Sequence, residues 1–170
     1  AVNFGIVYGQ QAYGLSQSLH IPFYEAKEMI DRYFEVHPGV RTYLDDVVAQ
    51  AHKDGYATTL FGRRRYIPEL KAKNAAQRGF GERTAMNHPM QGTAADIIKL
   101  SMIAVQNWLE NEKLESKLIM QVHDELVLEV PEKELDTVKY HLPKLMGNVA
   151  RLDVPLIAEV GSGKSWGEAH

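Results

Sequence analysis

The sequence feature that most constrains the fold is one long helical pattern, which extends from about Asn74 to Glu112. Apolar residues recur along it at the spacing of a helix face, far beyond the length of an average globular helix. Pro89 lies inside the pattern, and a proline there lacks a backbone N–H and clashes with the carbonyl four residues earlier. We therefore expect a long helix that is kinked or broken near Asn87.

Shorter elements are predicted before this helix. One helix extends from Pro22 to Val36 and another begins at Pro38, because proline suits the first turn of a helix. The β-prone residues Tyr56 to Phe61 and Arg65 to Ile67 predict a hairpin that turns at Gly62.

A second hairpin is predicted after the long helix, from the runs LIMQV and LVLEV within residues 118–130. Residues 131–147 then read as a helix and residues 154–160 as a third strand. The predicted class is α+β and helix-rich, with a small antiparallel sheet packed against helices.

Composition limits the partners. The chain has 170 residues and no cysteine, so a metal would be held by carboxylate, carbonyl or imidazole, which favours hard cations such as magnesium. No apolar run reaches the roughly 18 residues of a membrane span, and no secretory leader pattern is present. We expect a soluble, cytoplasmic protein with no membrane partner.

Charge is unevenly distributed along the chain. The net charge of −3 argues mildly against a nucleic-acid partner. Residues 53–83 nevertheless contain a clear basic excess, with Asp54, Glu69 and Glu82 set against Lys53, Arg63, Arg64, Arg65, Lys71, Lys73, Arg78 and Arg83. A solvated surface and a phosphate-binding patch both explain this segment, and charge alone leaves the choice open.

The segment VHDE at 122–125 places His123, Asp124 and Glu125 between two apolar β runs. A carboxylate at a tight turn is held rigidly while its oxygens stay accessible to a cation, which suits metal-assisted phosphoryl transfer. The tripeptide alone is more often a solvated turn. Its apolar flanks favour a site.

Two further segments have the character of a ligand surface. Phe4 and Tyr8 lie four residues apart, so on a helix their rings form one aromatic wall on which a base can stack, although a core-facing pair has the same spacing. Arg83, Asn87 and Gln91 also recur at intervals of four and form a polar ridge suited to phosphate, sugar and minor-groove acceptors. A solvent-facing stripe is the alternative. The side opposite the ridge is expected to be apolar, through Ala85, Met86, Met90 and Ala94.

Together these segments resemble the signatures of bacterial family A DNA polymerases, the DNA polymerase I type, over essentially the whole chain. The resemblance is carried by NFGIVYG, TLFGRRRYIPEL, RTAMNHPMQGTAADIIK and QVHDELVLEV, and the ending EVGSGKSWGEAH is similar to that family's C-terminus. It implies a helical fingers portion at 1–54 and a partial palm at 55–170. It also implies template-directed nucleotidyl transfer in DNA replication and repair.

The resemblance implies roles for individual residues. Phe4 contacts the sugar and base of the incoming deoxynucleoside triphosphate, and Tyr8 lies beside the templating position. Asp124 is implied as a catalytic, metal-bridging aspartate for two magnesium ions, and Glu125 as the second catalytic carboxylate that supports it.

The implied DNA contacts are with the primer–template. Arg83, Asn87 and Gln91 line its minor groove, His123 approaches the primer end, and Arg63 to Arg65 contact the backbone.

The chain also departs from the family pattern. The family's fingers lysine, four residues before the phenylalanine, and its other metal-bridging aspartate, in a motif resembling DYSQIELR, have no counterpart here. We therefore expect a C-terminal fragment that is inactive alone and that self-associates through an unpaired sheet edge. A DNA-binding module without chemistry and a metal-dependent hydrolase built on residues 123–125 are the alternatives.

Overall fold

The computed structural model describes residues 2–169, which form seven α-helices and two antiparallel hairpins. The helices are α1 (Val2–Val7), α2 (Ala12–Leu19), α3 (Phe23–Val36), α4 (Pro38–Asp54), α5 (Ala75–Asn111), α6 (Leu135–Gly147) and α7 (Trp166–Ala169). The strands are β1 (Tyr56–Thr58), β2 (Arg64–Tyr66), β3 (Lys117–Val122) and β4 (Glu125–Glu129). Each hairpin is a separate two-stranded sheet, so the predicted helix-rich α+β class is confirmed.

The chain divides into two compact units, and the division falls within α5, between Thr93 and Ala94. The division separates two groups of residues that make most of their contacts within their own group. The predicted boundary after residue 54 concerns fingers and palm, and it stays a prediction. None of the helices within residues 2–169 combines the length and apolar character that crossing a membrane requires.

Helix α5 is continuous, so the predicted break near Asn87 is wrong, while the predicted kink stays a prediction. The helix begins after Asn74, whose Oδ1 accepts hydrogen bonds from the backbone N–H groups of Ala76 and Gln77 at 2.8 and 3.2 Å. Pro89 removes one intrahelical bond. The helix extends through it because tertiary packing, rather than local propensity, supplies most helical stability in proteins.

In the first unit, one face of α5 packs against the β1–β2 hairpin. Gly81, Ala85 and His88 are buried on this face, and Gly92 follows at the next helical interval. A Cβ atom built on Gly92 would lie 2.7 Å from Cγ2 of Thr59, so only glycine lets the hairpin approach this closely. The core of the unit consists of Ala51, Ala57, Ile67, Leu70 and Ala85.

In the second unit, the β3–β4 hairpin packs on helices through β4. The buried centre is formed by Val105, Leu109, Val138 and Leu142, which belong to α5 and α6. Leu126 and Leu128 of β4 pack against this centre, whereas Ile119 and Met120 of β3 are 57% and 39% exposed. The hairpin therefore has a supported strand and an outer strand.

The third strand predicted at 154–160 is wrong, because this segment forms no strand and pairs with none within residues 2–169. Val154 and Ile157 are 68% and 77% exposed, so their β propensity is not used in packing. Pro155 also lacks the N–H that a ladder needs. Helix α2, which has eight residues and buries Leu15 and Ser16, was not predicted.

The buried carboxylate of Glu134 fixes the start of β3. It accepts hydrogen bonds from the backbone N–H groups of Glu115 and Ser116, each at 3.0 Å, and from the Ser116 hydroxyl at 2.6 Å. These donors, led by the Glu115 amide, lower the pKa of the Glu134 carboxyl below its ordinary value. Ionised Glu134 therefore ties the strand that leads to residues 123–125 to the turn before α6.

Replacing Glu134 with glutamine is expected to lower the melting temperature by several degrees at neutral pH, because an amide cannot accept all three bonds. A folded-state pKa below the unfolded one gives stability that is present above the unfolded pKa of about 4.3 and is lost as pH falls through the folded value. The difference between wild type and variant should therefore shrink in acid. Melting curves between neutral and acidic pH test this, with exposed Glu132→Gln as the control. A difference that is independent of pH contradicts the prediction.

Candidate nucleotide and nucleic-acid interface

The turn of the β3–β4 hairpin carries the predicted acidic site. Val122 pairs with Glu125 at the end of the ladder, which leaves His123 and Asp124 as a two-residue turn. His123 adopts a left-handed conformation with φ 52°, and its carbonyl accepts a hydrogen bond from Nε2 of Gln121 at 2.6 Å. Both turn residues are exposed, so the structure places the Asp124 carboxylate at the tip of a well-defined hairpin.

The side chains at this turn match part of a magnesium site. Asp124 and the half-buried Glu125 offer hard carboxylate oxygens, which are the ligands magnesium prefers. Within residues 2–169, however, no group of three or more His, Cys, Asp or Glu side chains is arranged to hold a metal ion. The turn therefore fits the role of one contributor to a shared metal site, and a complete two-ion site needs further ligands.

Phe4 and Tyr8 form the aromatic surface expected from their spacing. Their ring centroids are 6.4 Å apart with an interplanar angle of 24°, and the Tyr8 N–H donates to the Phe4 carbonyl at 2.9 Å as α1 ends. Phe4 is 70% exposed, while Ile6 between them is buried. The core-facing alternative is therefore wrong for Phe4, because the inner side of α1 is supplied by Ile6.

The ridge on α5 is polar and partly exposed. Arg83 and Gln91 are exposed. Asn87 is half-buried, and its buried Oδ1 has no hydrogen-bond partner among residues 2–169. Of the four apolar residues expected on the opposite side, Ala85 is buried and Met86 is half-buried, whereas Met90 is 46% exposed and Ala94 is also exposed. The ridge is thus defined by its own polar residues.

The end of α1 lies against the beginning of this ridge. Gly9 follows Tyr8 in the chain, and a Cβ atom built on Gly9 would lie 3.3 Å from Cγ of Arg83 and 3.0 Å from Sδ of Met86. The structure therefore brings the aromatic surface of α1 and the first residue of the ridge into one neighbourhood of the first unit. His123, Asp124 and Glu125 belong to the second unit.

The β1–β2 connection and the first two residues of β2, residues 59–65, form a tight basic segment that carries Arg63, Arg64 and Arg65 and that we call the arginine turn. Gly62 has φ 82°, a conformation that other residues rarely adopt, and all three arginines are exposed. The guanidinium of Arg64 lies 4.9 Å from the centre of the Tyr56 ring. Hydrogen bonding to Tyr66, with a smaller contribution from Tyr56, raises the pKa of Arg64, which stays cationic.

Sequence reasoning missed the residues that hold the arginine turn in place. The Thr59 hydroxyl oxygen accepts hydrogen bonds from the N–H groups of Phe61 and Arg63, and Thr93 on α5 accepts one from Leu60. His88, also on α5, contacts the carbonyl oxygen of Arg63. The two contacts from α5 join residues 25 and 33 positions apart, so no local pattern reveals them.

The comparisons with known proteins give the family of this chain. The model of DNA polymerase family A matches residues 1–168, and the chain belongs to this family. It is 51% identical to DNA polymerase I of Pseudomonas aeruginosa over 170 residues, which are 100% of this chain and 19% of that protein. It is likewise 51% identical to DNA polymerase I of Bacillus subtilis over 169 residues, 99% of this chain and 19% of that protein.

A solved structure agrees with this assignment. The chain is similar to the polymerase domain of Pol1 from M. smegmatis in complex with DNA primer–template and dNTP, with a TM-score of 0.94 and 49% sequence identity. The match covers 98% of this chain and 30% of that chain. This chain therefore spans a minor part of the length of its relatives, and the family's fold is confirmed over nearly all of it.

Proposed function

We propose that this chain is the C-terminal part of a bacterial DNA-directed DNA polymerase. The complete enzyme extends a primer 3′-hydroxyl by template-directed nucleotidyl transfer during replication and repair in the cytoplasm. The observation that carries the proposal is the exposed Asp124 carboxylate at the tip of the β3–β4 hairpin, in a chain of DNA polymerase family A. The bacterial DNA polymerase I relatives support the same reaction class.

The catalytic carboxylates are Asp124 and Glu125 in this proposal. Asp124 supplies ligand oxygens to magnesium from the turn, and Glu125 supports it from the first position of β4. Two magnesium ions, when bound, supply stabilisation of the charge that develops on the transferring phosphoryl group. His123, exposed in the same turn, approaches the primer end. Rigid backbone at this turn limits the reorganisation needed when substrate binds.

The nucleotide-binding residues are Phe4 and Tyr8. The exposed face of Phe4 stacks on the sugar and base of a deoxynucleoside triphosphate, and Tyr8 supports that ring and lies beside the templating base. Stacking of this kind tolerates every base, since each has an aromatic face. The dNTP present in the M. smegmatis complex supports this class of ligand.

The DNA-binding residues are Arg83, Asn87 and Gln91, with the arginine turn as a backbone contact. Asn87 turns its oxygen inward, so its Nδ2 amide is the group we expect to donate to minor-groove acceptors. Acceptors are present in that groove at every base pair, which suits an enzyme that must copy any sequence. The exposed guanidinium groups of the arginine turn contact DNA phosphates. These contacts fix the position of the DNA and do not depend on its sequence.

We also propose that the isolated chain self-associates. Strand β3 pairs with β4 along one edge, and its other edge has no strand partner among residues 2–169. The exposed Ile119 and Met120 lie on this outer strand. An unpaired apolar edge is a template for pairing with another chain.

The direct test of the function is extension of a labelled primer–template by the polymerase that carries this chain, with magnesium and all four deoxynucleotides. Extension that follows the template and requires magnesium supports the proposal. Hydrolysis of a generic phosphate ester without primer extension contradicts it and favours the metal-dependent hydrolase.

Replacing Phe4 with tyrosine in that polymerase is expected to raise incorporation of dideoxynucleotides relative to deoxynucleotides, by about tenfold or more. The added hydroxyl lies on the ring assigned to the sugar and can replace the 3′-hydroxyl that the terminator lacks. Competition between the two nucleotide types in single-nucleotide extension measures the ratio. Phe23→Tyr adds the same group at another exposed phenylalanine and should leave the ratio unchanged. An unchanged ratio for Phe4→Tyr removes Phe4 as the sugar contact.

A further inference from the structure

His88 is a buried imidazole on α5 that faces the arginine turn. It is 8% exposed, and its Nε2 lies 3.3 Å from the carbonyl oxygen of Arg63. A carbonyl oxygen only accepts hydrogen bonds, so Nε2 carries the hydrogen and donates it. The bond uses the backbone carbonyl of Arg63, so the guanidinium takes no part in it.

Two other contacts hold the same turn against the same helix. The Leu60 N–H donates to the Thr93 hydroxyl oxygen at 2.9 Å, and Thr59 packs closely on Gly92. Within the turn, the Thr59 hydroxyl accepts the N–H groups of Phe61 and Arg63 at 3.2 and 3.1 Å. The backbone of the turn is thus held near its start by Thr93 and near its end by His88 and by the Thr59 N–H, which donates to the same Arg63 carbonyl at 2.9 Å.

The helix segment that provides these contacts also carries the polar ridge. His88 directly follows Asn87, and Gln91 lies between His88 and Thr93 in sequence. The anchoring residues face the hairpin, whereas Arg83 and Gln91 are exposed. A single rigid element therefore carries both the ridge and the supports of the turn, which fixes the spacing of their side chains. Preorganised groups lose less conformational entropy when they bind a ligand.

We infer that His88 is a positioning residue that holds the arginine turn on α5, in register with the ridge, so that its guanidinium groups meet DNA phosphates at fixed positions. This inference rests on the proposed function, since DNA must be the ligand. His88 itself does not contact DNA. Loss of its hydrogen bond loosens the turn, and the arginines then make fewer simultaneous phosphate contacts.

The test compares two substitutions in the polymerase that carries this chain. H88F fills the space without a donor, and H88Q keeps an N–H that can reach the Arg63 carbonyl. Affinity for a primer–template is measured at several salt concentrations. For H88F we expect binding weaker by about three- to tenfold, and a salt dependence reduced by about one phosphate contact. For H88Q we expect values close to wild type.

A variant background separates positioning from general damage. In R63A/R64A/R65A the arginines are gone, so adding H88F should have no further effect on the salt dependence. An equal loss in both backgrounds, or no loss in either, overturns the role assigned to His88. If H88F does not fold, Thr93→Val removes the other anchor of the turn and is expected to reduce the salt dependence in the same arginine-dependent way.

The same data distinguish a failure of the proposed DNA contact from a failure of the role inferred for His88. If R63A/R64A/R65A binds primer–template as well as wild type does, the turn is not a DNA contact, and that part of the proposed function fails. If the triple variant loses affinity while H88F and Thr93→Val keep the wild-type salt dependence, only the inference about His88 fails.

Discussion

Replacing Asp124 with asparagine in the polymerase that carries this chain is expected to lower the rate of nucleotide incorporation by about 10³-fold or more, with primer–template affinity nearly unchanged. Asparagine keeps the shape of the side chain and removes the negative charge that holds the cations. In the proposed function, binding depends on contacts made elsewhere, to phosphates by the arginine turn and to the minor groove by the ridge. The exposed position of Asp124 in a two-residue turn means that the substitution leaves no buried group without a partner.

Single-turnover extension and equilibrium DNA binding measure the two quantities separately. Asp153→Asn makes the same change of charge at another exposed aspartate of the second unit and should behave as wild type. Similar melting temperatures exclude unfolding as the cause of the loss. Incorporation within a few-fold of wild type would falsify the assignment of Asp124 as a metal ligand.

Purified residues 1–170, tested alone, are expected to show no measurable primer extension. Two carboxylates at one turn cannot hold two magnesium ions about 3.5–4 Å apart, and residues 2–169 contain no cluster of three potential ligands. The first unit still presents the ridge and the arginine turn, so we expect weak binding of primer–template that decreases with salt. The isolated chain is then a DNA-binding module without chemistry.

The assay is single-turnover extension with magnesium and all four deoxynucleotides, with Asp124→Asn in the same chain as the control. Size-exclusion chromatography at several protein concentrations reports self-association through the outer edge of β3. Extension that is abolished by Asp124→Asn would mean that this chain completes a metal site by itself, and the account of a shared site would be wrong. Extension that survives the substitution indicates a contaminating polymerase.

The local geometry around the candidate site residues was predicted more completely than the long-range contacts near them, and the roles of these residues stay predictions. Asp124 was placed at a turn because two β-rich runs flank it closely, and the hairpin is confirmed. The stacked rings of Phe4 and Tyr8 follow from a spacing of four on a helix. The residues that hold the start of β3 and the arginine turn in place were not predicted. Glu134 and His88 act on backbone groups 18 and 25 residues away, and no periodic pattern encodes such a contact.

The sequence by itself indicated the family through the resemblance of its motifs. It also determined the helices α3 to α6 and the two hairpins, because these depend on local spacing and on turn residues such as Gly62. Only the tertiary structure decided whether Pro89 would end α5 and whether residues 154–160 would become a strand. A helix of 37 residues survives the loss of one hydrogen bond when its packing holds it, whereas a β-prone segment without a partner has nothing with which to pair. Local propensity favours a helix or a strand, and the free energy of contacts distant in sequence determines whether it forms.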